Sequence, residues 1–183
     1  LSSIISGKLV DFEDIYTEGI SNITLSDIQY AKAMGMKIKL FASCKRVGDK
    51  LSAMVAPHYV ASSHPLYNIE DVFNAIFVKG NMLGDSMFYG SGAGKLPTAS
   101  AVVADIIDCA RNLDRNNNYY WEETDVDLVA PYEEIEASFL VRVSGDYETL
   151  RGKIEEKFGN AEILIAADDE FGFISPEMKI KDL

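Results

Sequence analysis

Gly90, Gly92 and Gly94 fall at alternate positions in the run Phe88-Tyr89-Gly90-Ser91-Gly92-Ala93-Gly94-Lys95-Leu96-Pro97-Thr98-Ala99-Ser100. A backbone with no Cβ at three alternate positions can take φ > 0 and lets another group approach closely. A helix start follows at once, with Pro97 in its first turn and then Ala101, Val102, Val103, Ile106 and Ile107 at helical spacing. The pattern predicts a helix over 96–113 whose N-terminus offers free N–H groups and the positive end of its dipole. The spacing is G-x-G-x-G, not the G-x-G-x-x-G of dinucleotide sites, and Lys95 is followed by Leu96 rather than the Ser or Thr of a P-loop. On spacing alone the loop reads as a tight strand-to-helix turn before it reads as a phosphate cradle.

The flanks add what the spacing lacks. Before the loop stands Asn74-Ala75-Ile76-Phe77-Val78-Lys79-Gly80-Asn81-Met82-Leu83-Gly84-Asp85-Ser86-Met87, and after it Thr98-Ala99-Ser100-Ala101-Val102-Val103-Ala104-Asp105-Ile106. Near the start are Val10-Asp11-Phe12-Glu13-Asp14-Ile15-Tyr16-Thr17-Glu18-Gly19-Ile20, then Ile23-Thr24, Asp27, Lys37-Ile38-Lys39-Leu40 and Ser63-His64-Pro65-Leu66. Taken in order from about Leu1 to Arg111, these strings closely resemble the homoserine dehydrogenase family.

The resemblance implies an oxidoreductase that interconverts L-aspartate 4-semialdehyde and L-homoserine with NADP or NAD, on the route to threonine, methionine and isoleucine. It also implies that the Rossmann half, the substrate-binding acids and the catalytic lysine precede the position of Leu1. No catalytic residue is therefore carried over, and the chain alone is expected to be inactive with no cofactor bound. Lys37, Lys39 and Lys95 lie outside the lysine motif. What carries over is the glycine loop: Gly94 at the nicotinamide end of the cofactor, with Gly92 and Ala93 as its neighbours. Glu18 and Gly19 are expected to shape the nearby loop, and Glu13 and Asp14 to sit on a solvated turn. The strands between Lys37 and Tyr89 are implied to carry a homodimer contact.

Charge divides the chain. Residues 1–111 hold 10 basic and 11 acidic side chains, whereas 112–183 hold 7 and 18, within a total net charge of −12. Neither part has a basic patch, which argues against nucleic acid and anionic membrane as partners. No apolar run is long enough to span a bilayer, and the first residues lack signal-peptide regions. A first residue of Leu is expected of a partial or processed chain. Cys44 and Cys109 form no C-x-x-C pair, and are expected as free thiols in a cytoplasmic protein. His58 and His64 make no metal motif, so no metal is expected.

The pattern predicts an α+β chain: an antiparallel or mixed sheet covered by helices, followed by a small ferredoxin-like unit. A short helix ends at Gly7. Glu13–Gly19 reads as a loop. Thr24 or Ser26 caps a helix that stops at Gly35. Strands are expected over 37–45 and 51–61 about a Gly48-Asp49 turn, then 73–79 and 86–89, as one antiparallel meander beneath the 96–113 helix. Residues 1–113 are assigned to the end of the catalytic and dimerisation domain and 114–135 to a linker. In the linker, Asn116-Asn117-Asn118 is a polar breaker and Trp121 with Tyr119 and Tyr120 is placed as an anchor. Residues 136–183 alternate as a strand to Ser144, turn helical over 147–158 up to Gly159-Asn160, then give strands over 161–167 and 171–174 about an Asp168-Asp169-Glu170 turn. This β-α-β-β order resembles an incomplete ACT domain, which implies an end-product effector such as threonine. The ACT turn D-x-P-G is here Ser144-Gly145-Asp146-Tyr147, with no proline. A stand-alone regulatory or dimerising module that binds an amino acid and does no chemistry is the alternative function.

Overall fold

The first helix, α1 (Ser2–Ser6), ends at Gly7, whose N–H donates to the Ser3 carbonyl. The computed structural model describes residues 1–114, 121–159, 161–167 and 170–183. Asn116–Asn118, Tyr119, Tyr120, Asn160, Asp168 and Asp169, each singled out by sequence, lie outside the described residues. Packing separates two units, residues 1–59 with 121–183 and residues 60–120.

In the first unit the expected 13–19 loop contains a strand, β1 (Tyr16–Thr17). Thr24 then opens α2 (Leu25–Ala33) with a reciprocal capping box: its hydroxyl accepts from Asp27 N–H while the Asp27 carboxylate accepts from Thr24 N–H. β2 (Met36–Val47) and β3 (Lys50–Ala61) follow on either side of the Gly48-Asp49 turn. β3 lies between β1 and β2, with Tyr16 opposite Met54 in a parallel pair. Leu51 and Ala53 of β3 are buried, and so are Tyr30 and Ala31 of α2. On β2, Ile38, Leu40 and Ala42 share one face, and Leu40 remains 49% exposed.

The second unit holds a hairpin, β4 (Phe73–Gly80) and β5 (Gly84–Ser91), and a helix, α3 (Lys95–Arg111). β4 and β5 pair with each other, not with β2 or β3, so the meander expected from sequence is two separate sheets among the described residues. The turn-rich stretch 62–72, with Pro65, separates β3 from β4, so no tight hairpin turn sets their register as the Gly48-Asp49 turn does for β2 and β3. Nor does α3 cover a sheet: none of its residues is buried, and Val102, Val103, Ile106 and Ile107 stay between 45% and 60% exposed.

Back in the first unit, residues 121–135 are anchored rather than free. Lys8 and Glu122 form an isolated parallel bridge and an ion pair, and Leu51 exchanges backbone hydrogen bonds with Leu128 and Ala130 at 2.8 Å each. Val129 and Ile135 are buried as a result. A 3-10 turn over Tyr132–Glu134 leads to β6 (Glu136–Ala137), β7 (Leu140–Ser144), α4 (Tyr147–Phe158), β8 (Ile163–Ala167), β9 (Glu170–Ile174) and β10 (Met178–Lys179).

The strand order β7-β9-β8, antiparallel throughout, leaves β7 and β8 parallel and joined by α4. Phe171 and Phe173 pack with Ile154 of α4, and Val141, Val143, Leu150 and Phe158 close this core. The opposite face carries Arg142 and Leu164, both opposite Gly172 in register, and faces α2. A Cβ at Gly172 would come within 2.8 Å of Tyr30 Cε1, so the missing side chain makes the slot in which the Tyr30 ring is fully buried.

The strand expected unbroken over 136–144 is interrupted. Ala137 faces Met178 and Leu140 faces Ile174, which leaves Ser138-Phe139 opposed by Ser175-Pro176-Glu177, one residue more. This is a bulge, and Pro176 sits where no ladder donor is needed. Buried Ser175 takes the place of the lost pairing: its hydroxyl accepts from Phe139 N–H at 3.0 Å and donates to the Pro176 carbonyl at 2.9 Å.

Candidate functional site: a glycine loop between hairpin and helix

The loop is set by the hairpin. Alternating apolar residues zip β4 onto β5 from Gly80 opposite Gly84 to Phe73 opposite Ser91, and Phe73 stacks on Tyr89 with ring centroids 5.0 Å apart. Asn74 faces Gly90, and Gly92 N–H donates to the Val72 carbonyl at 3.0 Å. The Asn74 side chain then crosses the strand end, so that a Cβ on Gly92 would fall 1.5 Å from its Nδ2 and 2.6 Å from its Cγ. Gly92 is therefore glycine to let Asn74 pass, whereas Gly90 has open space where a Cβ would point.

Gly94 is the N-cap of α3 with φ 114° and ψ 149°, a conformation that an L side chain rarely adopts. Its carbonyl accepts the Thr98 N–H at 3.1 Å. Pro97 has no N–H, which leaves the amides of Gly94, Lys95 and Leu96 as the donors that the start of α3 does not itself use. Residues 87–100 are all exposed. The three residues assigned by resemblance, Gly92, Ala93 and Gly94, thus lie on one exposed edge, with backbone donors and acceptors and no acid or base among them.

The other candidates go elsewhere. His58 Nδ1 lies 2.8 Å from the Ala56 carbonyl, and His64 Nδ1 accepts the Leu66 N–H at 3.2 Å, so both rings serve the local backbone. Cys44 and Cys109 are free thiols. Among the described residues no group of His, Cys, Asp and Glu could hold a metal ion. Glu18 is held from both ends: Tyr16 donates to its Oε2 at 3.1 Å, and its own N–H donates to the Val55 carbonyl at 2.7 Å. Glu13 and Asp14 are exposed, as a solvated turn requires. At the turn between β7 and α4, Gly145 has φ 120° and the Asp146 carboxylate accepts from Thr149 N–H and Oγ1 at 3.0 and 2.8 Å. That carboxylate is committed to capping α4.

One polar center has no counterpart in the sequence reading. Arg142 grips Glu170 with two hydrogen bonds of 2.9 and 2.8 Å and donates from Nη1 to Asp27 at 2.7 Å and Thr24 Oγ1 at 3.2 Å. The Arg142 guanidinium holds the Glu170 carboxyl below its ordinary range. Burial opposes the charged form of Asp27, but Thr24 and Arg142 outweigh it and hold that carboxyl low as well. The signal was a lone arginine at an alternate position of an apolar strand.

The family model described as homoserine dehydrogenase matches residues 1–107. Homoserine dehydrogenase from Mycobacterium bovis is 35% identical over 181 residues, covering 95% of this chain and 41% of the relative. The enzyme of the same name from Corynebacterium glutamicum is 46% identical over 117 residues, 61% of this chain and 26% of the relative. A crystal structure of a homoserine dehydrogenase from Thiobacillus denitrificans superposes with a TM-score of 0.83 at 28% identity, over 99% of this chain and 45% of its own. The chain spans less than half the length of these proteins. The glycine loop, most of the helix behind it and the strings that flank them fall within the matched residues, and the chain belongs to the homoserine dehydrogenase family.

Proposed function

We propose that this chain supplies the trailing part of a homoserine dehydrogenase, in which residues 88–98 form the wall at the nicotinamide end of the cofactor site. The observation that carries this reading is the exposed Gly92-Ala93-Gly94 edge, which enters α3 through the positive φ of Gly94, inside the family match. The whole enzyme would interconvert L-aspartate 4-semialdehyde and L-homoserine. The bound nicotinamide would supply the hydride, and this chain would orient the ring and exclude water from one side. Proton transfer to the substrate oxygen would fall to groups outside the Gly92-Ala93-Gly94 loop, which carries no acid or base. NADP or NAD is the cofactor class.

In this reading residues 1–113 complete the catalytic and dimerisation domain, 114–135 connect, and 136–183 form an ACT-like regulatory unit. A homodimer is supported by the uncovered apolar residues of the second unit, such as Ile76, Val78, Met87 and Phe88, each more than 40% exposed. A threonine-like effector at the unit's β-α turn would have to compete with the Asp146 cap. No helix among the described residues is long and apolar enough to cross a membrane, and a cytoplasmic location in amino-acid biosynthesis goes with the reading.

The test joins this chain to the preceding portion of the Corynebacterium glutamicum relative and follows NADPH or NADH oxidation with L-aspartate 4-semialdehyde. The joined enzyme should turn over, the chain alone should not, and Gly94→Val should raise the cofactor KM or lower kcat by about ten-fold or more. Turnover by the chain alone, or a folded joined enzyme indifferent to Gly94→Val, would overturn the assignment. Calorimetric binding of threonine to the chain, together with an inactive joined enzyme, would favour the non-catalytic module.

A further inference from the structure

The 3-10 turn Tyr132–Glu134 touches two parts of the first unit that are far apart in sequence. On one side the Tyr132 ring stacks on Tyr16 of β1, with centroids 3.6 Å apart and planes 13° from parallel. Tyr16 in turn donates to Glu18, and the Glu18 amide is bonded to β3 through Val55. On the other side Glu134 receives Lys179 Nζ at 2.8 Å and Lys181 Nζ at 2.5 Å, the two basic residues of the C-terminal segment 178–183. That segment also pairs β10 with β6, and Ile180 N–H donates to the Ile135 carbonyl at 3.1 Å.

The turn itself is stiff. Glu134 N–H donates to the Pro131 carbonyl at 3.0 Å, Ile135 N–H donates to Tyr132 at 3.1 Å, and Ile135 is buried beside it. Tyr132 and Glu134 are therefore held in one hydrogen-bonded turn. A half-open cavity of about 260 Å³, lined by Asp14, Tyr16, Asp127, Val129 and Tyr132 among others, lies against the stack.

We propose that this turn is a clasp that couples the C-terminal segment 178–183 to residues 14–19, so that loosening the lysines on Glu134 loosens the Tyr16–Glu18 strand. Residues 14–19 lie within the family match and the clasp lies beyond it, so the coupling gives the trailing part of the chain a handle on the matched part. The lysines hold the Glu134 carboxyl down at about 2, so the bridges stay charged across the whole neutral and mildly acidic range. Salt is the variable that weakens them, because all three side chains reach solvent.

Amide hydrogen exchange on the full chain tests the coupling. Glu134→Lys, and separately the pair Lys179→Glu with Lys181→Glu, should speed exchange of the peptide covering 14–19 by about three-fold, and the triple charge swap should restore it. Tyr132→Ala should speed the same peptide and make it indifferent to Glu134→Lys. Exchange in the β4–β5 hairpin should stay unchanged. If a charge variant does not fold, raising the salt on the unaltered chain from low to molar concentration should reproduce the effect. Faster exchange confined to 176–183, or a triple swap that fails to restore 14–19, would overturn the proposal.

Discussion

The two units bury their apolar residues to very different degrees. Residues 1–59 and 121–183 hold Tyr30, Ala31, Leu51, Ala53, Val129, Ile135, Ile154, Phe171 and Phe173, all at or below 7% exposure. Residues 60–120 bury Val60 and leave Phe88, Leu96, Val102 and Ile106 more than half exposed. Both stretches are rich in apolar side chains at regular spacing. In the first, two helices sandwich a sheet. In the second, a hairpin and a helix each show an apolar face that residues 60–120 do not cover. An apolar stripe of the right period thus specifies a helix but not what the helix packs against. Val102, Val103, Ile106 and Ile107 on α3 are already about half covered, so a partner surface adds at most about half of the roughly 1.5–3 kcal/mol each that full burial is worth, before the cost of association.

The strongest way to break this contrast is to cut into each unit at an apolar residue. Phe173→Ala removes a fully buried ring and should cost about 3–5 kcal/mol in denaturant unfolding. Ile106→Ser on α3 should change stability by no more than about 0.5 kcal/mol, while weakening whatever association light scattering detects. Equal losses from the two would mean that the units share one core.

Gly172→Ala sharpens the contrast within the first unit. Its new Cβ collides with the Tyr30 ring and should cost about 1–3 kcal/mol, read as a lowered Tm. Tyr30→Leu should recover part of that loss in a double-mutant cycle, because the collision is pairwise. Independent effects would show that α2 does not rest on the sheet.

A smaller effect separates the units by pH. Asp27 and Glu170 have folded pKa values below their unfolded ones. Their contribution is complete above the unfolded carboxylate range, about pH 4, and is lost as pH falls through the depressed values. Acid titration followed by exchange should therefore loosen α2 and β7–β9 on descent below about pH 4. Arg142→Met should flatten that dependence, and the β4–β5 hairpin should not respond to the substitution.

Elements with a local cause could be read from the sequence. Thr24 and Ser26 were both local candidates to cap α2, and the Asp27 carboxylate settles it on Thr24; Gly159 marked the end of α4, and short runs between glycines located β4 and β5. What depends on distant residues could not be read. Residues 121–135 have no period because Leu51 of β3 and Lys8, not a repeat of their own, decide where they bind. The bulge at Ser175 looks like any turn-prone Ser-Pro. At the site, the strain at Gly94 followed from a glycine preceding a helix. The need for Gly92 comes from Asn74 on the opposite strand, a neighbor that no window along the chain includes. Arg142 in an apolar alternation marked an exception without naming its partners.

The slot that Gly172 leaves for Tyr30 bears on where this protein can be divided. The β7-α4-β8-β9 segment has the outline of a portable module, and a designer would excise it near Ile135. The excised piece would keep the core beneath α4 but would expose the groove over Gly172 together with Arg142. The remainder would present a bare tyrosine on α2. Residues 24–34 travel with the module, and a graft that omits them carries an open wound on each side of the cut.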